Sequence, residues 1–172
     1  LVRACCMLQS AMLASVSGEE AGLVTVLDEK RHGLEDGDYV RFDDYLFPLE
    51  ADASFSAGIW FKADSPGSFN NRSEMFSQGE SGNGVYLGSE TGKVRGEPVT
   101  TGTRTATPFP IGGWHHLVMI VDRDLDEGRL YLDGVLIFES PDGLQPSGST
   151  AVPTQFGRQF DGQENFLGQI GR

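Results

Sequence analysis

Residues 114–122 read Trp-His-His-Leu-Val-Met-Ile-Val-Asp, and residues 129–138 read Arg-Leu-Tyr-Leu-Asp-Gly-Val-Leu-Ile-Phe. These stretches predict three consecutive antiparallel strands, because the charged loop 123–128 lets the chain reverse and Asp133-Gly134 suits a two-residue hairpin turn. Nearly every residue from 116 to 121 is apolar, so we expect that strand to be covered on both faces. A strand of this kind lies inside a sandwich of two sheets.

The composition favours one domain built from many short strands. The 172 residues include 23 glycines and 8 prolines, and no stretch after residue 20 shows a helical period. The formal net charge of −12 argues against binding to nucleic acid, because an acidic surface repels phosphate backbones. No stretch reaches the roughly twenty apolar residues that a membrane span requires.

Residues 54–62 alternate in polarity as a half-buried strand does. Phe55, Ile59 and Phe61 fall on one face of this strand, whereas Trp60 falls on the other. Aromatic side chains in a sandwich usually belong to the core. Trp60 is therefore predicted to be the exposed aromatic residue and the candidate for stacking on a sugar ligand.

Residues 1–20 predict a weakly structured lead. Residues 2–13 are mildly apolar and are followed by small residues, which fits either the remnant of a secretory signal or a disordered end. The adjacent Cys5 and Cys6 are the only cysteines, so no disulfide framework is expected. The cellular compartment stays open on these grounds.

Several motifs resemble the laminin-G-like jelly rolls of the concanavalin A-like lectin superfamily, over about residues 39–172. The resemblance implies an all-β, two-sheet antiparallel jelly-roll sandwich that acts as a binding module, extracellular or at the cell surface. The family's last strand normally continues well past a Gly-x-Ile motif, so a chain that stops at Arg172 implies a clipped closing strand and an exposed edge. The motifs are Phe55–Phe61, Gly113–Leu117, Leu130–Gly134, Gln155–Arg158 and Phe166–Gly171.

A second resemblance covers about residues 10–42. The run from Arg31 to Gly37, Arg-His-Gly-Leu-Glu-Asp-Gly, is similar to the opening of the first catalytic-cysteine half-domain of ubiquitin-activating enzymes. It implies ubiquitin as a partner of this segment. If this second resemblance determines the function of the chain, it also implies a cytoplasmic location. The family's thioester cysteine has no counterpart here, since Cys5 and Cys6 lie outside the matched run. The chain thus resembles a fusion of two families.

The loop before the last strand contains the candidate metal ligands. Calcium prefers several oxygen ligands from flexible loops, and modules related to the resembled superfamily, such as pentraxins, hold it at a sandwich rim. The resemblance makes Asp161, Gln163 and Glu164 the calcium candidates. A second pentraxin contribution, an Asp-Asn pair before the strand at Glu74, is not matched by residues 70–73. This loop is therefore either a calcium site or a polar turn.

Other polar motifs do not assemble into a catalytic site. His115 and His116 are neighbours on a strand and point to opposite faces, so they cannot converge on one metal ion. The acidic run 122–127 lies in a hairpin loop and lacks the glutamate pair that a glycoside hydrolase needs. Asn71 begins an Asn-Arg-Ser sequon, which is a glycosylation site if the chain enters a eukaryotic secretory pathway.

The leading expectation is a non-catalytic module that binds carbohydrate or a protein partner, with calcium assisting if the rim site forms. The alternative is an inactive fragment of a ubiquitin-activating enzyme fused to a jelly roll. A third is a glycoside hydrolase of the concanavalin A-like superfamily. We assign no catalytic residue and expect no enzymatic activity.

Overall fold

The computed structural model describes residues 12–13, 23–24, 39–42, 53–67, 71–79, 84–100, 105–140, 144, 154–159 and 162–171. Within these residues the regular secondary structure is entirely β. None of them forms a helix long and apolar enough to cross a membrane. The strands are β1 (Met12–Leu13), β2 (Leu23–Val24), β3 (Val40–Phe42), β4 (Phe55–Ala63), β5 (Arg72–Gln78), β6 (Val85–Glu90), β7 (Lys93–Glu97), β8 (His115–Asp122), β9 (Glu127–Leu132), β10 (Val135–Glu139), β11 (Thr154–Phe156) and β12 (Gly168–Ile170).

Two antiparallel sheets of five strands each form the described sandwich. The first, here sheet I, has the strand order β10-β9-β8-β4-β12, and the second, here sheet II, has the order β3-β11-β5-β6-β7. Strands β1 and β2 pair with each other as a separate antiparallel ribbon. The non-sequential strand orders show that the chain crosses repeatedly between the sheets. The predicted all-β jelly-roll sandwich is thereby confirmed.

The core consists of alternate apolar side chains from the two sheets. In β4 the buried positions recur every second residue, as the alternation in residues 54–62 predicted. Full burial of one large apolar side chain stabilises the fold by roughly 1.5–3 kcal/mol. The buried apolar residues of these strands include Phe55, Ala57, Ile59, Phe61, Met75, Phe76, Leu87, Val94, Leu117, Met119, Val121, Leu130 and Phe156.

The β9–β10 hairpin turns at Asp133 and Gly134, as predicted. Both residues have positive φ angles, 52° and 80°, which a tight two-residue turn requires. The Asp133 carboxylate also accepts a hydrogen bond from the His116 amide (2.8 Å) and lies 2.7 Å from Nδ1 of His115. Burial opposes ionisation of Asp133, but these hydrogen bonds from His115 and His116 outweigh it and lower its pKa. The turn is thus tied to the start of β8.

The prediction that β8 is covered on both faces was wrong. Leu117, Met119 and Val121 are buried, but the intervening Val118 and Ile120 are only half-buried. Strand β1 contacts β4 of the same sheet, but Val118 and Ile120 of β8 keep part of their surface exposed to solvent. The apolar run therefore marks an outer face that is unusually apolar.

Two further segments, residues 93–107 and residues 10–42, compare differently with the structure. The stretch 93–107, which is mostly polar, contains strand β7, whose buried Val94 faces the core. Of the segment that resembles ubiquitin-activating enzymes, most of residues 10–42, including the Arg31–Gly37 run, lies outside the described residues. That resemblance stays a prediction, as does the weakly structured lead.

Candidate functional site

Trp60 stands on the outer face of sheet I. Because Ile59 and Phe61 point into the core, strand alternation turns the indole of Trp60 outward, where its side chain is 43% exposed. His116 is its Cα partner on β8. The two rings stack with their centroids 4.7 Å apart and an interplanar angle of 11°. The exposure of Trp60 agrees with the alternation, while its role in ligand binding stays a prediction.

The surface next to this ring pair is mostly apolar. Gly58 lies opposite Val118, which in turn lies opposite Tyr131 on β9. A Cβ atom added to Gly58 would come within 3.2 Å of Nε2 of His116, so this glycine leaves room for the imidazole. We call the surface made by Gly58, Trp60, His116, Val118 and Tyr131 the Trp60 platform.

Two polar side chains border the Trp60 platform. Lys62 lies two residues beyond Trp60 on the same face, and Gln169 of β12 is its Cα partner. The Gln169 side chain is exposed, and Lys62 is half-buried. An ammonium donor and an amide next to an exposed aromatic pair supply polar groups that could orient a ligand lying on the rings.

Sheet II carries a buried cluster of charged side chains on its outer face. The Arg95 guanidinium bonds to the Glu74 carboxyl through Nη1 and to Oε1 of Glu97 through Nε (3.1 Å) and Nη2 (2.8 Å). The same guanidinium lies 5.1 Å from the centre of the Tyr86 ring. The Arg95 and Glu74 side chains are only 3% and 0% exposed. We call Glu74, Tyr86, Arg95 and Glu97 the buried ionic cluster.

This cluster was not predicted from the sequence. Glu74, Arg95 and Glu97 occupy positions that alternate with core residues, which is the ordinary pattern of a solvated strand face. Their contacts depend on the register in which Gly88 lies between Glu74 and Arg95 in neighbouring strands. No local sequence signal reports such a register, although a glycine inside a strand marks a point of close approach.

Burial changes the protonation of Glu74. Removal from water is the largest effect and raises the pKa of Glu74 to about 8, with Arg95 opposing the rise. The acid is therefore mostly neutral at pH 7. Its Oε2 atom is buried without a hydrogen-bond partner in the described part of the protein, 2.8 Å from where a Cβ of residue 88 would lie. Burial likewise raises the pKa of Tyr86, whose hydroxyl donates to the Gly79 carbonyl (3.0 Å).

This protonation predicts a pH dependence of stability. The folded protein holds the Glu74 proton more tightly than the unfolded chain, so this contribution to stability is complete below pH 4.5 and is lost as the pH rises to about 8. Chemical denaturation of wild type and Glu74→Gln across this window is the measurement. The free energy of unfolding of wild type should fall relative to that of the variant. If the free energy of unfolding depended on pH in the same way in both proteins, the raised pKa of Glu74 would be contradicted.

The structure describes two of the three calcium candidates. Gln163 is exposed, Glu164 is 4% exposed, and Asp161 lies outside the described residues. Oε1 of Glu164 lies 3.5 Å from Nη1 of Arg72, a guanidinium that competes with a cation for this oxygen. The described residues contain no group of three or more acidic, histidine or cysteine side chains placed to hold a metal. Calcium binding by this loop stays a prediction.

The other candidate residues have structural contacts. His115 and His116 point to opposite faces, as predicted, and the His115 ring contacts the buried Phe61 at 5.9 Å between centroids. In the acidic hairpin loop, Asp122 accepts a hydrogen bond from the Leu125 amide (3.2 Å) and Asp126 accepts one from the Leu144 amide (2.9 Å). Those carboxylates fix the loop.

Asn71, the first residue of the sequon, is exposed immediately before β5. Its φ angle of 57° lies in the left-handed region, which asparagine tolerates better than most residues. Glycosylation of Asn71 stays a prediction.

The chain belongs to the concanavalin A-like lectin/glucanases superfamily, because a laminin G-type family model of that description matches residues 34–172. This match confirms the first of the two resemblances. No curated protein sequence matches the chain.

Solved structures share the fold at low sequence identity. Domain 4 of the extracellular family 43 arabinanase AbnA from Geobacillus stearothermophilus, in complex with arabinotriose, has a TM-score of 0.52 and 18% identity over 92% of this chain and 79% of that one. The CBM40 module of the Ruminococcus gnavus IT-sialidase, bound to α2,3-sialyllactose, has a TM-score of 0.50 and 16% identity over 72% and 77%. A Bacteroides ovatus protein assigned to carbohydrate binding has a TM-score of 0.50 and 13% identity over 96% of this chain. The chain spans 42% of the length of that last protein.

Proposed function

We propose that this chain is a non-catalytic carbohydrate-binding module and that the Trp60 platform is its binding surface. The observation that supports this most is the stacked Trp60–His116 pair, which leaves a large aromatic surface exposed on an otherwise regular sheet. The C–H bonds on one face of a sugar ring form an apolar surface that packs on a flat aromatic ring. Hydroxyl groups at the ring's edge then reach polar side chains such as Lys62 and Gln169.

The fold relatives support the same class of function. An arabinanase domain in complex with arabinotriose and a sialidase module bound to sialyllactose both share this architecture. Because fold alone does not determine function, their ligands identify only which sugars to test first. The activity and partners of any longer protein that contains this domain are proposals of the same kind.

The buried ionic cluster supports a non-catalytic assignment. Glu74 and Glu97 are two carboxyl groups on one sheet face, and the pKa of Glu74 is raised, as in a general acid. The Arg95 guanidinium, however, bonds to both carboxyl groups and occupies the space between them. A glycoside hydrolase needs its substrate in that position.

A protein partner is the second candidate, favoured by one observation. Strand β10 is the edge of sheet I within the described residues, and its Val135 and Leu136 are 64% and 47% exposed. An exposed apolar edge can accept a further strand. Such a partner would contact the β10 edge, whereas the stacked rings of the Trp60 platform lie on β4 and β8.

Trp60→Ala is expected to weaken carbohydrate binding by about tenfold or more, since loss of an aromatic platform removes at least ~1.4 kcal/mol. The measurement is isothermal titration calorimetry against a panel of neutral oligosaccharides that includes arabinotriose. Because Trp60 is 43% exposed, the melting temperature should change little.

Trp114→Phe is the matched control for this experiment. Trp114 is the only other tryptophan, is half-buried and lies outside the Trp60 platform, so its replacement should leave affinity unchanged. Binding that survives Trp60→Ala but not Trp114→Phe would disprove the assignment of the surface.

A further inference from the structure

Arg158 lies on the outer face of sheet II, on the opposite side of the sandwich from the Trp60 platform. It follows β11, and its guanidinium carbon lies 3.1 Å from the centre of the Tyr39 ring. Tyr39 precedes β3, the strand that pairs with β11, and its side chain is 41% exposed. A cation over an aromatic face is attracted by the ring's negative quadrupole. The two side chains therefore form one preassembled unit.

Two contacts from the buried part of sheet II fix the position of Arg158. Its Nε donates to Oε1 of Gln155 at 3.0 Å, and Gln155 is 1% exposed. Its carbonyl accepts a hydrogen bond from the Ser77 hydroxyl at 2.8 Å. With Nε bound, the Nη1 and Nη2 atoms remain as a planar pair of donors. The side chain has thus lost most of its rotamer freedom before any ligand arrives.

Arg158 differs in its charge partners from three other arginines that the structure describes. Arg72, Arg95 and Arg129 each bond to glutamates. Within the described residues Arg158 has no carboxylate partner, although the chain carries a net charge of −12. A fixed guanidinium without a carboxylate partner among the described residues offers a site for an anion, and its planar fork matches a carboxylate in a bidentate manner.

We infer that Arg158 and Tyr39 form a binding site for the carboxylate of an acidic sugar, a uronic or a sialic acid. The guanidinium would bind the carboxylate, and the exposed part of the Tyr39 ring would contact the sugar ring that carries it. The strongly negative chain disfavours an extended polyanion but tolerates a single acidic group at a local cation. This site is independent of the Trp60 platform and stands even if that platform binds nothing.

The test is an NMR titration of the wild-type chain with methyl β-D-glucuronide and with the methyl glycoside of N-acetylneuraminic acid. Methyl β-D-glucoside and acetate are the comparison ligands, because each supplies only one of the two recognised features. We expect at least one acidic sugar to bind more tightly than both comparison ligands. Its affinity should fall with added salt, as for an exposed charge pair.

Arg158→Gln should weaken this binding about tenfold or more, since it removes a charge-assisted, bidentate contact. Arg158→Lys keeps the charge and loses the planar pair of donors, so its affinity for the acidic sugar should lie between those of wild type and Arg158→Gln. This variant also tests the site if Arg158→Gln folds poorly. Arg129→Gln is the control, because Arg129 is already bound to Glu127 and Glu139. Trp60→Ala should leave this binding unchanged.

Three results would overturn the inference. The first is the absence of binding by both acidic sugars. The second is equal affinity for one of the comparison ligands. Acetate binding as tightly would show that the sugar ring is not recognised, and the neutral glucoside binding as tightly would show that the carboxylate is not recognised. The third is unchanged affinity in a folded Arg158→Gln variant.

Discussion

Arg95→Met is expected to destabilise the fold by about 3–5 kcal/mol, the range found when one partner of a buried ion pair is removed. Arg95 is the only bonded cation between Glu74 and Glu97 in the described structure, and its own side chain is 3% exposed. Methionine fills a similar volume but leaves the Glu97 carboxylate and the Glu74 carboxyl without their shared donor. Guanidinium chloride unfolding followed by circular dichroism measures the change.

Arg129→Met is the matched control. Arg129 also lies between two glutamates, Glu127 and Glu139, but its side chain is 31% exposed and both carboxylates face water. Exposed ion pairs contribute little because solvent screens them. The control should therefore shift the unfolding midpoint much less than Arg95→Met. Equal shifts would show that burial of the ionic cluster contributes nothing to stability.

Gly88→Ala is the second substitution with a large expected effect, a destabilisation of about 3 kcal/mol from overpacking. A Cβ atom at this position would overlap the carbonyl oxygen of Ser73 on the neighbouring strand and lie 2.8 Å from Oε2 of Glu74. Backbone cannot yield as a flexible side chain does, so the β5–β6 pairing must shift. Thermal and denaturant unfolding of the variant would measure this.

Gly92→Ala provides the comparison, in the turn that follows the same strand. A Cβ there would meet no atom within 4 Å, and the substitution costs only the strain of the positive φ angle of 74°, about 1 kcal/mol. If Gly88→Ala were no more destabilising than Gly92→Ala, the close pairing of β5 and β6 at Glu74 would be incorrect.

The architecture of the protein was predictable from local patterns. The Asp133-Gly134 turn and the alternation in residues 54–62 each depend on only a few neighbouring residues, and the structure agrees with both. The same locality explains the exposure of Trp60, because strand alternation sets the face of a side chain directly. The apolar run 116–121 misled for a related reason. Apolar content alone cannot tell a doubly covered strand from one that forms an exposed apolar face.

The sites that depend on contacts between distant segments were not predictable. Stacking of Trp60 on His116 requires the β4–β8 register, and the Arg158–Tyr39 contact joins residues more than a hundred positions apart in the chain. The buried ionic cluster lies next to a shift in the β5–β6 register between Glu74 and Phe76, which local sequence does not announce. In each case the residue types were ordinary, and the fold alone brought them together.

The central claim, that the Trp60 platform binds carbohydrate, is tested most directly by mapping the binding surface in solution. A ¹⁵N-labelled wild-type chain would be titrated with the tightest-binding neutral member of the oligosaccharide panel, because acidic sugars are expected at the Arg158–Tyr39 site, and the amide and indole resonances would be followed. We expect the shifts to concentrate on the Trp60 indole and on the amides of Gly58, His116 and Val118, with the Trp114 indole unchanged. Shifts confined to sheet II or to the β10 edge, with an unmoved Trp60 indole, would contradict the claim.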